Sequence, residues 1–333
     1  MSKLMVLLEG PRMVKLGERK IIEMFLEVFG KPSKNILPFG DDVSGFDLGR
    51  GRMAVLKVDM FVDKTDMPPG MNYFQAGWKA ITMSVSDFAA KAVKPQTVLV
   101  GLGLPSKLGK KEIEQIALGL KKASKNYGLK ILGGDTNESE NLTITSVIFG
   151  LTQKKNLILR SEAKPGDLLA VSGKFGKTSA GLKILLENMD APPNLKEKLL
   201  KPVYMPKAKL DLGLKLKKLG ATSTIDSSDG LAWSLYELAK ASNVGFIIEK
   251  LPIAEEAKIF SKIHELDPFN LTFYGGEEFE IVGTFNPKKF FKADKSLRKK
   301  FLIIGKVVKE KKIVYVKNGF ERVVEPKGWE HFV

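Results

Sequence analysis

Apolar positions between Gly17 and Gly30 recur at helical spacing, where Ile21, Ile22, Phe25, Leu26 and Phe29 predict one face of a short helix. A Val/Met/Phe-rich run over 53–62 reads as a strand, and a long helical pattern follows from Asn72 to about Ala92. The run over 98–104 is a second strand. Residues 111–127 alternate apolar and charged positions with helical period, and Gly128 follows as a C-terminal cap. Strands are expected over 129–132 and 142–151, on either side of a GGDT turn. The segment 152–167 is charged, holds Pro165-Gly166, and precedes a fresh start of the pattern, so it reads as a domain boundary. Beyond it, a strand over 168–171 leads through a Gly-rich turn into a helix over 179–186. Pro192-Pro193 is expected to break the chain, with a further helix through 207–219. A strand over 222–225 and a helix over 231–240 come next. Strands then return over 246–248, 279–285, 301–308 and 313–316.

Strands and helices alternate in both halves, which predicts an α/β (α+β) protein with mixed sheets, divided into residues 1–152 and 153–333. A chain of 333 residues with 44% apolar content buries a substantial core. Its 54 basic and 38 acidic side chains give a net charge of +16. The lysines are spread over many helical stretches and form no long block, which favours a solvated, anion-attracting surface over a nucleic-acid reader. Cysteine is absent, excluding thiolate chemistry and Cys-held metals, and the two histidines, His264 and His331, leave little for a Ser-His-Asp hydrolase. The opening MSKLMVLLEG is too short an apolar run for a secretory signal and no run approaches a membrane span, so a cytoplasmic protein is expected.

Against this basic background, six acidic motifs sit at the ends of apolar runs: GDD (Asp41, Asp42), VDM (Asp59), SVSD (Asp87), GGDT (Asp135), IDSSDG (Asp226, Asp229) and GGEEFE (Glu277, Glu278, Glu280). Neighbouring Gly and Ser let the backbone approach a ligand closely, and carboxylates are hard oxygen ligands suited to Mg²⁺. Each has an ordinary alternative: a surface turn for Asp41-Asp42, a helix cap for Asp229. Asp59 interrupts an apolar strand and Asp87 a buried helix, so each needs a cationic partner if buried. If the strand ends converge, they form a cup for metals and a polyphosphate. The stretch SGKFGKTS over 172–179 fails the P-loop spacing, since Val171 stands where the first glycine belongs. It reads either as an anion-binding helix N-terminus or as a tight strand–helix connection.

In this order, GDD, VDM-F-V, SVSDFAA, GGDT, SGKFG-K-TSAGL, IDSSDGL, GGEEFE and KGWEHF resemble the motifs of thiamine-monophosphate kinases. The wider superfamily includes aminoimidazole ribonucleotide synthetase, selenophosphate synthetase and a hydrogenase-maturation dehydratase. The resemblance runs from about Gly17 to Phe332. It implies ATP-dependent conversion of thiamine monophosphate to thiamine diphosphate. It also implies an N-terminal sheet domain that dimerises through a shared barrel, a C-terminal α/β domain and several Mg²⁺ ions. By motif position, Asp42, Asp59, Asp87, Asp135 and Asp226 resemble the metal ligands, with Asp229 near a further ion. Lys57 and Val58 fall at metal-contact positions where only backbone carbonyls could serve. Gly134, Asp135, Arg160 and Ser228 resemble ATP contacts, and Glu277 and Trp329 resemble substrate contacts. The chain departs from the family pattern at Ser84 (usually Asn), at Asp66 (usually a substrate-side His), at Gly176-Lys177-Thr178 (usually Gly-Asp-Ser) and at GEEFE (usually GEDYE). An Asp at position 66 would repel an anion unless a metal lay between them. Few histidines suit this chemistry, because a phosphate acceptor is already ionised and needs no strong base. Another ATP-using superfamily member and a nucleotide-binding protein without turnover are the competing readings.

Overall fold

The computed structural model describes residues 16–30 and 36–332; the opening MSKLMVLLEG run lies outside them. The first half holds α1 (Glu18–Phe29), β1 (Ser44–Gly49), β2 (Arg52–Val62), α2 (Asp63–Asp66), α3 (Tyr73–Ala90), β3 (Thr97–Leu104), α4 (Lys110–Tyr127), β4 (Lys130–Glu138) and β5 (Thr143–Gln153). Its strands form one five-stranded sheet in the order β1-β2-β5-β3-β4, antiparallel except for the parallel β3–β4 edge.

Alternation decides which face of this sheet is buried. Along β5, Ile144, Ser146 and Ile148 point inward, as do Val55 and Phe61 of β2, while Val58 and Met60 point outward and are exposed. The inner face is covered by α3 and α4. Helix α3 opens with a reciprocal capping box, in which Gln75 N–H donates to Asn72 Oδ1 and Asn72 N–H to Gln75 Oε1, both at 2.9 Å. It is buried nearly all round because it also packs against the second half of the chain, and one hydrophobic cluster joins Val85 and Phe88 to Leu216, Ile281 and Phe285.

The second half contributes β6 (Leu168–Val171), α5 (Lys177–Leu186), α6 (Pro193–Tyr204), α7 (Leu210–Gly213), β7 (Ala221–Ser227), α8 (Leu231–Ser242), β8 (Gly245–Ile248), α9 (Glu255–Ile263) and α10 (Pro268–Phe273). After these come β9 (Glu280–Phe285), α11 (Pro287–Lys292), α12 (Lys295–Arg298), β10 (Leu302–Val308), β11 (Ile313–Lys317) and β12 (Phe320–Val323). Seven strands make a mixed sheet in the order β12-β11-β8-β10-β6-β9-β7. The mixed α/β architecture with two mixed sheets agrees with the expectation from sequence.

Three local expectations are corrected. GGDT is not a turn: Gly133 to Thr136 lie inside β4, held by parallel pairing with β3 along its full length. Gly134 makes that close pairing possible, since a Cβ there would lie 1.7 Å from the Val100 carbonyl oxygen. The Pro192-Pro193 pair starts a helix rather than ending one, because Pro193 takes the first helical position, where no N–H is needed. The helix expected through 207–219 is two short pieces, α7 and a 3₁₀ turn at Leu216–Leu219; α7 ends at Gly213, where a Cβ would lie 2.1 Å from the Ala89 carbonyl oxygen.

Candidate active site

Three aspartates from distant parts of the chain meet at the inner edge of the first sheet. Asp42 ends the turn before β1, Asp87 lies in α3, and Asp226 lies near the end of β7. One carboxylate oxygen from each lies within 4.8 Å of the others, and all three residues are buried. Asp59, on the inner face of β2, is joined to them through a lysine. Lys57 Nζ stands 3.1 Å from Asp59 Oδ1 and 3.0 Å from Asp87 Oδ2. The cation that a buried Asp87 requires is therefore supplied from within the chain.

A second set of charges backs Asp42. Lys91 Nζ lies 2.7 Å from Asp41 Oδ1 and 2.8 Å from Asp42 Oδ2, and also donates to the Thr224 carbonyl of β7. Arg160 grips Asp42 through Nε at 2.8 Å and through Nη2, reaches the Gly40 carbonyl at 2.8 Å, and its backbone N–H donates to Asp41 Oδ2 at 2.9 Å. Burial alone would raise the Asp42 carboxyl, but Arg160 and Lys91 outweigh it and hold the group below its ordinary value. The other two members have less compensation. Burial pushes Asp87 well above the carboxylate range despite Lys57, aided by Asp226 and Asp59. Burial and then Asp42 push Asp226 up to about 7, against an opposing hydrogen bond from Ser86. Such a group of buried, mutually repelling hard oxygen donors fits a divalent cation.

The other residues singled out by sequence are distributed around this centre. Asp135 lies on β4, whose residues are all exposed, and is outside the buried triad in the single chain. Gly134 and Asp135 pair with Val100 and Gly101 of β3. The β1–β2 ladder stops at Leu56, so the edge of β2 at Lys57 and Val58 has a strand neighbour only on the β5 side; the Val58 side chain points to the outer face. Asp229 is pushed up to about 6 by burial and by Glu18, with Arg19 opposing. Its carbonyl accepts the Trp329 N–H at 3.0 Å, which fixes the tail beside it. The Trp329 side chain is half exposed and packs edge-on against His331. The Ser228 carbonyl accepts the Glu277 N–H at 2.5 Å, and Glu277 takes a left-handed backbone, φ 64°.

Asp66 and Glu277 meet at a lysine that the sequence reading did not single out. Lys79 is 1% exposed in α3; it pairs with Glu277 and donates to the Asp66 backbone carbonyl at 2.8 Å. The Asp66 carboxylate itself accepts the Val62 N–H at 2.8 Å and the Thr65 hydroxyl at 2.9 Å. Lys79 and Lys91 were detectable as lone charges in an otherwise apolar helical pattern, a signal that Asp87 shares. Ser84, at the position where the resemblance leads one to expect Asn, hydrogen-bonds Ser146 at 2.7 Å and ties α3 to β5.

The Gly-rich turn before α5 resolves as a strand–helix connection. Its helix N-terminus is already filled by a carboxylate of the chain, because Gly176 N–H donates to Glu278 Oε1 at 2.5 Å. Thr178 Oγ1 donates to the Gly276 carbonyl at 2.7 Å, so the GGEEF loop is locked onto the helix. Lys177 pairs with Glu256 at 3.1 Å.

Comparison with known proteins places this geometry in context. Residues 40–152 match the family described as AIR synthase related protein, N-terminal domain. The thiamine-monophosphate kinase of Nitrosopumilus maritimus is 38% identical over 96% of this chain and 100% of its own length. That of Pyrococcus horikoshii is also 38% identical, over 96% of this chain and 97% of its own. A solved structure described as AaThiL complexed with AMPPCP and TMP superposes with a TM-score of 0.85 at 28% identity, covering 97% of this chain and 99% of that one. With such likeness over nearly its whole length, the chain belongs to the thiamine-monophosphate kinase family.

Proposed function

We propose that the chain phosphorylates thiamine monophosphate to thiamine diphosphate with ATP, by direct Mg²⁺-assisted transfer at the aspartate cup. The observation that carries this reading is the convergence of Asp42, Asp87 and Asp226 in a relative of kinases sharing its full length. The superposable AaThiL structure, with an ATP analogue and TMP bound, supports both substrates.

Asp42, Asp59, Asp87 and Asp226 would hold Mg²⁺, with Asp135 and Asp229 at its margins and backbone carbonyls of Lys57 and Val58 as further donors. When bound, Mg²⁺ neutralises the phosphoryl oxygens and holds donor and acceptor in line. The remaining work falls to the chain. Asp42 and Asp41 are held in place by Lys91 and Arg160, so the first acidic loop is ordered before any ligand arrives. Gly134 and Asp135 on the open edge of β4, with Arg160 and Ser228, form the ATP side. Glu277, Asp66 and Trp329 form the acceptor side. Because the Asp66 carboxylate is tied to Val62 and Thr65, its part is to hold the α2 turn, and Lys79 beneath it supplies the nearby positive charge. The acceptor phosphate is already ionised near neutral pH, so its oxygen attacks without a strong base, and no side chain is required as a covalent nucleophile.

The same reading includes a homodimer in the cytoplasm. The outer face of the first sheet exposes Val58, Met60, Leu99 and Leu151, and β4, whose outer edge has no strand partner among the described residues, exposes Ile131 and Leu132. An open apolar edge of this kind is what a second copy would cover. No helix among the described residues is long and apolar enough to cross a membrane. The function is tested by incubating the protein with ATP, Mg²⁺ and a panel of acceptors that includes free thiamine and thiamine monophosphate. Thiamine diphosphate formed from the monophosphate alone is the expected product. Turnover of another acceptor in preference would reject the assignment.

A further inference from the structure

The aspartate cup contains a cation of its own. Lys57 lies on the inner face of β2, in line with Val55, Asp59 and Phe61, and its ammonium bridges Asp59 and Asp87 at 3.1 and 3.0 Å. Its side chain is only 22% exposed, and that of Asp87 only 9%, so this is no solvated surface pair. The strand fixes the lysine in place, since β2 pairs with β5 continuously from Arg52 to Val62. An ammonium tethered in this way meets its two carboxylates at an effective concentration that a free ion must exceed. A divalent ion admitted between Asp59 and Asp87 would also be repelled by the ammonium already seated there.

We propose that Lys57 is a built-in cation seated between Asp59 and Asp87, so that the cup takes one divalent ion fewer than its carboxylates would otherwise admit. This rests on the Mg²⁺-dependent kinase reading and concerns the lysine side chain, not the backbone carbonyls of the same segment. Five carboxylates, those of Asp41, Asp42, Asp59, Asp87 and Asp226, stand against three permanent cations, Lys57, Lys91 and Arg160. Removing Lys57 deepens that deficit at the one place where two carboxylates share a single partner. The opened seat then favours a metal.

Metal stoichiometry tests this without turnover. Mn²⁺ bound per chain is counted by equilibrium dialysis and electron paramagnetic resonance, with a non-hydrolysable ATP analogue present. The wild type is compared with Lys57→Ala and Lys57→Arg. Lys57→Ala should bind one Mn²⁺ more per chain than the wild type, and Lys57→Arg the same number as the wild type. If Lys57→Ala does not fold, Lys57→Gln, which keeps most of the volume without the charge, takes its place with the same expectation. Equal, non-zero counts in wild type and a folded neutral variant overturn the proposal and leave the kinase reading intact. A wild type that binds no Mn²⁺ overturns the metal cup as well.

Discussion

Replacing Lys91 by Met should destabilise the folded protein by about 3 kcal/mol. Lys91 is 0% exposed, and its ammonium touches Asp41 and Asp42, whose side chains are 8% and 0% exposed. Breaking a buried ion pair by removing one partner costs about 3–5 kcal/mol, because the other charge is left uncompensated. Arg160 continues to hold both carboxylates, through its guanidinium on Asp42 and its backbone N–H on Asp41, which places the loss at the low end of that range. The hydrogen bond to the Thr224 carbonyl is lost too, and with it a tie between the end of α3 and β7. For a chain of this size the change corresponds to a melting temperature lower by roughly 6 °C, taking about 2 °C per kcal/mol. Differential scanning calorimetry in EDTA measures it, and adding Asp41→Asn to the Lys91→Met variant should recover part of the loss. A melting temperature within 1 °C of wild type would refute the view that Lys91 neutralises this acidic loop.

Three further outcomes follow from particular side chains. Burial raises Glu278 to about 7 from an ordinary 4.5, so the folded state keeps a proton that the unfolded state releases; the associated stability is full below about pH 4.5 and lost as pH rises through about 7. Glu278→Gln should therefore flatten the stability profile across that interval and raise stability at pH 8 by about 1–3 kcal/mol, as read by denaturant titration at several pH values; a variant less stable than wild type at pH 8 would contradict this. Trp329→Ala should raise the thiamine-monophosphate KM roughly 5–30-fold with that for ATP nearly unchanged, since aromatic stacking contributes on the order of 1–2 kcal/mol; a lower melting temperature with both KM values intact would make Trp329 a packing residue. Val58→Lys combined with Met60→Lys, on the exposed outer face of β2, should convert a dimer to monomers in sedimentation velocity, and a wild type that is already a dilution-resistant monomer would remove the dimer.

The period of the apolar pattern made most of the first half legible. The capped helix α3, the strand β2 and the Gly128 stop of α4 all lie close to where the spacing predicts them. What failed did so where tertiary contacts outweigh local preference. GGDT carries every local mark of a turn, yet β3 draws it into a strand because Gly134 lets the backbones meet. β12 and the helices α10 to α12 were missed because elements of four to six residues are too short to show a period; β1, α6 and α9 were not among the expected elements either, although α6 and α9 bury positions at helical spacing. In the site, the acids were legible one by one as polar interruptions of apolar runs, but their counter-charges were not. Lys57 lies on β2, Lys79 in α3, Lys91 at the C-terminal end of the same helix and Arg160 beyond β5, and only the fold shows which carboxylate each neutralises. The Gly-rich turn was ambiguous for a similar reason: the carboxylate filling its helix N-terminus lies 102 positions away.

Transfer of label from [γ-³²P]ATP tests the central claim most directly. With Mg²⁺ and thiamine monophosphate, the wild type should place one label in thiamine diphosphate for each ADP formed and leave none on the protein. Asp87→Asn, which replaces a buried cup carboxylate by an amide of the same shape, should remain folded and lose that transfer by orders of magnitude. Label released only as inorganic phosphate, label retained on the protein, or undiminished transfer by Asp87→Asn would contradict a metal-assisted, direct phosphoryl transfer at this cup.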